Sequence, residues 1–317
     1  MPDLLFRPLG ADELHLFHRY GPGPTSGVGA RGRTFDEYVA IGDYRPEWIW
    51  VAQHGDDVLA RAVFWAPPEF AQPFHLEWFD PGADIEVGAR LLRACYDALV
   101  GPDYATPPHP DGGRPDYQLF LPSDWRERPE AQADATDRIT AAELAGLTFF
   151  TERLTLRWSA DDGLPVRSGR LRFTPAADDR RLTDVIARTY PGTLDAYGAT
   201  DAARHGADRA AADLLDEVAG MPGGRQWWRL AHDRDGDLVG MVLPTRNPGS
   251  ATIGYLGVVP EHRGRAYVDD LVAEALHLFA EAGEPTVEDT TEVGNHPMAG
   301  AFLRAGYRVA GRRVILV

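Results

Sequence analysis

The sequence predicts a mixed α/β (α+β) fold built twice, each copy a mixed sheet with helices packed on it. Three observations predict it. The chain has 317 residues and a mass of 34.8 kDa, more than one average core accommodates, so two domains are expected. One order of elements can be read at 1–160 and again at 168–317: strand, helix or helix pair, hairpin, strand–turn–helix, strand, helix. This is an internal repeat of about 155 residues. Each copy also carries a polar four-residue turn at the hairpin, His54-Gly55-Asp56-Asp57 in the first and Arg234-Asp235-Gly236-Asp237 in the second.

In the first copy, Leu4 to Pro8 reads as a strand and Ala11 to Tyr20 as a helix. Gly21 to Gly32 is a Gly/Pro-rich loop, and Phe35 to Tyr44 is a second helix. Trp48 to Gln53 and Val58 to Trp65 flank the first turn as hairpin strands. Phe74 to Phe79 is a strand stopped by Asp80-Pro81-Gly82, and Ile85 to Leu99 a helix, with Val87, Leu91, Leu92, Cys95 and Leu99 on one face. Tyr104 to Pro115 is a loop, Tyr117 to Leu121 a strand, Thr140 to Ala145 part of a helix, and Leu147 to Trp158 a long strand or strand pair. Ser159 to Ser168, with Asp161-Asp162-Gly163 and Pro165, is the linker.

In the second copy, Arg170 to Pro175 is the strand and Asp178 to Tyr190 and Ala207 to Val218 are helices. Trp227 to Asp233 and Leu238 to Pro244 form the hairpin, and Gly220 to Gly224 and Asn247-Pro248-Gly249 are turns. The run Thr252 to Leu271 is the most informative. Ile253 to Val259 is apolar, rich in β-branched residues and ended by Pro260, which reads as a buried strand. After a polar turn with Gly264, Val268, Leu271, Val272, Ala275, Leu276 and Phe279 recur at helical spacing. Thr286 to Thr290 is another strand, and Ala299 to Ala305 belongs to the last helix.

The strand–turn–helix places Arg263 and Arg265 at a helix entrance. A helix N-terminus offers unpaired N–H groups and a partial positive charge, so it attracts phosphate. The arginines add charge there, and Gly264 lets the backbone approach a ligand. Leu256-x-Val258-x-Pro260-x-x-Arg263-Gly264-Arg265 resembles the acyl-CoA signature of the GNAT superfamily of N-acetyltransferases, L-x-V-x-P-x-x-R-G-x-G-x-G/A. Ala266 and Val268 stand where that pattern has glycine and a small residue. Asn295, Phe302 and Gly306-Tyr307 are similar to the family's second element, N-x-x-A-x-x-x-Y-x-x-x-G-F/Y, with Met298 in place of alanine. The tandem arrangement resembles that of mycothiol synthases and their actinobacterial relatives.

The resemblance implies two tandem GNAT-like domains and acetyl-CoA as co-substrate. It places the cofactor on Leu256, Val258, Val259, Arg263, Gly264, Arg265, Ala266, Tyr267, Val268, Asn295 and Phe302. The fourth and fifth strands of such a domain splay apart, so the N–H of Val258 or its neighbour is the expected oxyanion donor. Thr252 stands where mycothiol synthases carry a strand glutamate, and Phe302 where many relatives carry a proton-donating tyrosine. Among the remaining groups, Glu288 and Asp289 sit on the fifth strand pointing opposite ways, and Asp289 is preferred as base. Tyr255 is the candidate acid or positioning group, set against a packed core tyrosine. His262 is expected to face solvent, and His296 to be a surface residue at a helix N-terminus. In the first copy the turn reads Gly82-Ala83-Asp84-Ile85-Glu86, without arginine. Its carboxylates cap a helix but repel a pyrophosphate, so that copy lacks the cofactor motif.

Composition narrows the partners. With 48 acidic against 32 basic residues, all of them arginine, the net charge is −16, which argues against nucleic acid and for solubility or for steering of a cationic small molecule. No apolar run reaches the ~18 residues of a membrane span, and the start shows no signal-peptide pattern, so a cytoplasmic location is expected. One cysteine, Cys95, precludes an internal disulfide. No histidine spacing suits a metal: His15 and His18 are three apart with no third ligand. The expected activity is transfer of acetyl from acetyl-CoA to an amine of a small cationic molecule by a monomer or homodimer. The alternative is a catalytically silent acyl-CoA-binding or interaction protein.

Overall fold

The computed structural model describes residues 4–21, 23–25, 33–106, 113–247 and 249–317. Parts of the loops expected at 21–32 and 104–115, His109 among them, and Pro248 of the turn at 247–249 lie outside the described residues. The chain divides into two compact units, Met1–Glu152 with Gly311–Val317, and Arg153–Ala310.

In the first unit the strands run in the order β1 (Leu5–Pro8), β2 (Ile49–His54), β3 (Asp57–Trp65), β4 (His75–Asp80), β5 (Asp116–Pro122) and residues 311–316 of β12 (Arg308–Leu316). Helix α1 (Phe35–Ile41) starts in a capping box between Thr34 and Glu37 and stops at Gly42 in the left-handed conformation. Helix α2 (Ile85–Leu99) has the bounds its apolar stripe predicts, and packs Leu91, Leu92 and Cys95 into the core with no exposure. Asp84 caps it by accepting the Glu86 N–H at 3.0 Å. Helix α3 is longer than expected, Pro129–Leu144. Its first turns, PEAQADATDR, bury only alanine and Arg138, so no large apolar residue marks them. The helix expected at 11–20 is a 3-10 segment, Leu14–Arg19.

At the end of β4 the first unit carries a buried ionic cluster. Asp80, 2% exposed, accepts from Arg61 Nε and Arg138 Nη2, both at 2.6 Å, and from Trp78 Nε1 at 3.0 Å. Arg61 also donates to the Phe17 carbonyl at 2.6 Å and lies 4.1 Å above the Phe17 ring. Asp134 meets Arg138 Nε at 3.0 Å. Buried charges are tolerable when paired this fully, and removing one partner is costly.

In the second unit the order is residues 153–159 of β6 (Phe149–Ser159), β11 (Thr286–Glu292), β10 (Ala251–Val258), β9 (Leu238–Arg246), β8 (Arg229–His232) and β7 (Arg172–Pro175). Only β10 and β11 are parallel neighbours. Helices α7 (Tyr267–Glu281) and α8 (His296–Arg304) pack with Leu154, Leu156, Trp158 and Val242 in one core cluster. Helices α4 (Asp179–Thr189) and α6 (Ala207–Gly220) pack with Met241 and Leu243 in another. Between α4 and α6 lies α5 (Ala196–His205), which buries no residue and so has no stripe to betray it.

The expected division at 160 and 168 is therefore corrected. Residues 153–159 belong to the second unit because they form a seven-residue antiparallel ladder with β11 and supply Leu154, Leu156 and Trp158 to its core. Residues 311–316 belong to the first because they pair with β5, and Val314 and Leu316 fill its core. Each unit thus takes its last strand from a stretch that a contiguous repeat assigns to the other.

Candidate functional site

The site is built where β10 leaves β11. The two strands pair at Ala251↔Val287 alone, so beyond that point β10 has β9 on one side and an open edge on the other. Every residue from Thr252 to Val258 is partly exposed, unusual for an interior strand. A bulge at Gly254 breaks the β9 register between Ile253 and Tyr255. Glycine is required there: an added Cβ would lie 2.8 Å from Thr245 Cγ2 and 2.9 Å from Val218 Cγ1. A glycine inside an apolar strand run was the sequence signal for this bulge.

Strand alternation tells which groups face the opening. The Val259 N–H donates to the Val239 carbonyl on β9 at 2.9 Å. The N–H and carbonyl of Val258 must then point the other way, and its carbonyl does accept Arg263 Nε at 3.0 Å on that side. The Val258 N–H is therefore turned to the opening. Val259 is not: its side chain is fully buried and its N–H is taken, which removes it from the expected cofactor set.

Asp289 holds the strands at the point of divergence. It is 3% exposed and accepts from the Ile253 N–H at 2.7 Å, Thr252 Oγ1 at 3.0 Å and Tyr307 Oη at 2.7 Å. Burial pushes its carboxyl up to about 6 against the pull of these hydrogen bonds. With both oxygens so occupied, Asp289 is a wedge between strands, which corrects its expected role as base. Glu288 points outward and pairs with Arg157 at 2.8 Å.

Next to the opening, the turn after β10 forms a ring of free N–H groups. Gly264 and Ala266 are both left-handed, with φ of 75° and 56°. Ala266 is the N-cap of α7 and the chain's described non-glycine residue with positive φ, where the resembled motif has glycine. The backbone N–H groups of Gly264 to Val268 have no partner among the described residues. Alternating backbone conformations beside a helix N-terminus make such N–H groups an anion cradle. Arg170 underpins it, donating to the carbonyls of Arg265 and Ala266 at 3.0 Å each and pairing with Asp270. The remaining first-turn acid, Asp269, is neutralised by Arg304 at 2.6 Å.

The two motif arginines differ. Arg263 spends its guanidinium on the chain itself, donating to the carbonyls of Val258, Pro191 (2.6 Å) and Thr189. It fastens the turn to the end of α4. Arg265 is exposed and without a partner among the described residues, so its charge is available beside the cradle.

These features line one cavity of about 660 Å³. Its walls include Leu256, Val258, Arg263, Gly264, Ala266, Tyr267, Val268, Asn295 and Phe302 from the expected cofactor set, and Tyr255 and Asp289 from the expected catalytic pair. Arg265 and Val259 are outside it. Asn295 caps α8 through its oxygen to the Met298 N–H at 3.3 Å, which leaves its amide N–H₂ free to donate. Phe302, 3% exposed, stands edge-on to Tyr307, whose hydroxyl is committed to Asp289. Tyr255 donates to Thr189, because Thr189 gives its own proton to the Ile186 carbonyl; burial pushes the phenol up to about 12. His262 lines the cavity and is buried, its Nδ1 unpaired, which corrects the expectation that it faces solvent. His296 is exposed, as expected. The lining adds residues that sequence reasoning missed: Arg153, Asp195, Leu214, Glu217 and Met221. Most come from strand exchange and from the α5–α6 pair, which no local pattern joins to β10. Among the described residues no group of histidine, cysteine and acidic side chains could hold a metal ion, and no helix is long and apolar enough to cross a membrane.

Residues 194–307, which span the opening, the cradle and α8, match the family model described as Acetyltransferase (GNAT) family. Over these residues the chain is similar to the GNAT family. An 81-residue stretch is 36% identical to mycothiol acetyltransferase of Clavibacter sepedonicus, covering 26% of this chain and 27% of that relative, so the likeness spans about a quarter of the relative's length. The fold is similar over the whole chain to a GCN5-related N-acetyltransferase from Sphaerobacter thermophilus, with a TM-score of 0.59 at 16% identity and 96% of that chain covered. It is also similar to a GCN5-related glucosamine N-acetyltransferase region of a fungal multi-domain GH3 β-N-acetylglucosaminidase, with a TM-score of 0.53 at 14% identity, covering 100% of this chain and 38% of that one. The expected tandem GNAT fold is the one found.

Proposed function

We propose that the second unit of this chain transfers acetyl from acetyl-CoA to a primary amine of a small cationic molecule. The observation that carries this reading is the open edge of β10 running into an N–H cradle at the head of α7, within one cavity. In this reading the cradle at Gly264 to Val268 takes the pyrophosphate, with Arg265 adding charge. Leu256, Val258 and Asn295 offer groups to the pantetheine arm. The Val258 N–H stabilises the oxyanion, the kind of contribution whose loss costs about 10²-fold or more in rate. Tyr255 is the acid: it is neutral, faces the cavity, and can draw on the Thr189 hydroxyl when its own proton goes to the thiolate. Most of the acceleration comes from holding thioester and amine together.

Acidic side chains in the cavity lining, Asp195 and Glu217, together with the net charge of −16, support a cationic acceptor. A second reading, a silent acyl-CoA-binding protein, draws on Phe302, which brings no hydroxyl to the place where the motif has tyrosine. Thiol release from acetyl-CoA in the presence of primary amines separates the two. Amine-dependent release supports the transferase; tight binding with none supports the silent reading.

A further inference from the structure

Helix α6 turns one face to the cavity, formed by Leu214, Glu217 and Val218 at i, i+3 and i+4, and Met221, the extended residue just past its end, continues the wall. Three of the four are apolar wall. The helix lies hard against β10, since an added Cβ on Gly254 would come within 2.9 Å of Val218 Cγ1. Glu217 therefore sits beside the bulge, next to the open strand edge. It is the charged member of that face, and it has no ion pair or hydrogen bond among the described residues. The buried or half-buried acids Asp269, Asp270, Glu274 and Glu284 of the same unit each have an arginine, whereas Glu217 is exposed and lines the cavity with its charge unspent.

The other charges at this end are already engaged. Asp195 accepts the Gly198 N–H at 2.6 Å as the cap of α5, and Arg153 faces the buried Glu292 at 3.6 Å. An apolar wall, an unpaired carboxylate and, among the described residues, no neighbouring free cation make a place for a cation that the ligand must bring.

We propose that Glu217 holds the ammonium group of the acceptor and takes its proton. The proposal rests on the acetyl-transfer reading above and names the residue that selects the substrate. The balance is simple. The ammonium gives one proton to the Glu217 carboxylate. The freed nitrogen lone pair attacks the acetyl carbonyl carbon, a C–N bond forms and the C–S bond breaks. Tyr255 gives its proton to the thiolate and recovers the second proton lost by nitrogen, and Glu217 returns the first to solvent. Surrounding protein and the Asp201 carboxylate raise the Glu217 carboxyl above its ordinary range, which suits a group that must accept a proton. Asp195, Asp289, the phenols of Tyr255 and Tyr267, His262, Arg153, Arg263 and Arg304 are the other titratable and charged groups that line the cavity.

The test compares Glu217→Gln with Asp216→Asn, the same charge change at an equally exposed neighbour that lies outside the cavity. Spermidine, glucosamine and tyramine are the amines, assayed by thiol release from pH 6 to 9, with acetyl-CoA affinity measured alongside. Glu217→Gln is expected to lower kcat/KM for the best amine by about 100-fold or more, raise KM and flatten the acidic limb of the profile. Glu217→Asp restores part of the loss, and acetyl-CoA binding is unchanged. An unchanged kcat/KM, or a loss equal to that of Asp216→Asn, overturns the role of Glu217 while leaving acetyl transfer standing. Acetyl-CoA binding with no turnover on any of the three amines overturns both.

Discussion

Replacing Asp289 by asparagine isolates the carboxyl that bridges β10 and β11 where they diverge. The carboxyl is raised from 3.8 to about 6 by complete burial. The folded state therefore holds its proton at pH values where the unfolded chain has released it. For an acid raised in this way, the contribution to stability is complete below the unfolded value and is lost as pH rises through 6. A shift of about two units amounts to about 3 kcal/mol, of which about half is lost between pH 5 and 7.5. Asparagine keeps the shape and one acceptor oxygen for the Ile253 N–H, and carries no charge. Urea unfolding of both proteins across that range, with the difference taken at each pH, cancels the other titrating groups. The variant should gain on the parent by about 1.5 kcal/mol from pH 5 to 7.5, with acetyl-CoA binding retained. Parallel curves would refute the buried, charge-intolerant wedge. Asp289→Ala should instead cost about 3 kcal/mol, because it strands the buried Tyr307 hydroxyl and the Ile253 N–H.

Three further outcomes follow from the same geometry. Ala266→Gly should stabilise the protein by about 0.5–1 kcal/mol, since alanine sits at φ 56°, and should leave acetyl-CoA affinity equal or tighter; thermal unfolding with and without ligand reads both. Arg263→Ala should destabilise by about 2 kcal/mol by releasing three backbone carbonyls, whereas Arg265→Ala should leave urea unfolding unchanged and weaken acetyl-CoA by about tenfold. Tyr255→Phe should lower kcat with acetyl-CoA affinity unchanged, because it removes the phenol that meets the cavity and its link to the Thr189 hydroxyl.

Much of this was legible in the sequence for local reasons. Ile85–Leu99 announces itself by a full apolar stripe, both hairpins by their Gly/Asp turns, and the cradle by the run from Leu256 to Arg265. What stayed hidden is non-local or unpatterned. β12 opens as RVAGRR, which alternates poorly because only its last residues are buried. α5 buries nothing, and α3 begins on small and polar residues. The strand exchange depends on which ladder partner Arg153–Ser159 and Gly311–Leu316 find, which no window of sequence records. In the site, Asp289 was visible as a carboxylate on the right strand, but its role is decided by three donors brought from β10 and from Tyr307. Arg263 was visible as a cation, but the carbonyls of Thr189 and Pro191 that consume it come from more than seventy residues away in the chain.

Calorimetric titration of the intact chain with acetyl-CoA tests the central claim most directly. One molecule bound per chain with micromolar affinity, about −8 kcal/mol, abolished when both Gly264 and Arg265 are replaced, is the result expected from a single cradle at the head of α7. No heat at millimolar ligand would contradict it, and so would two molecules per chain, which would place a second cofactor in the unit whose turn carries Asp84 and Glu86.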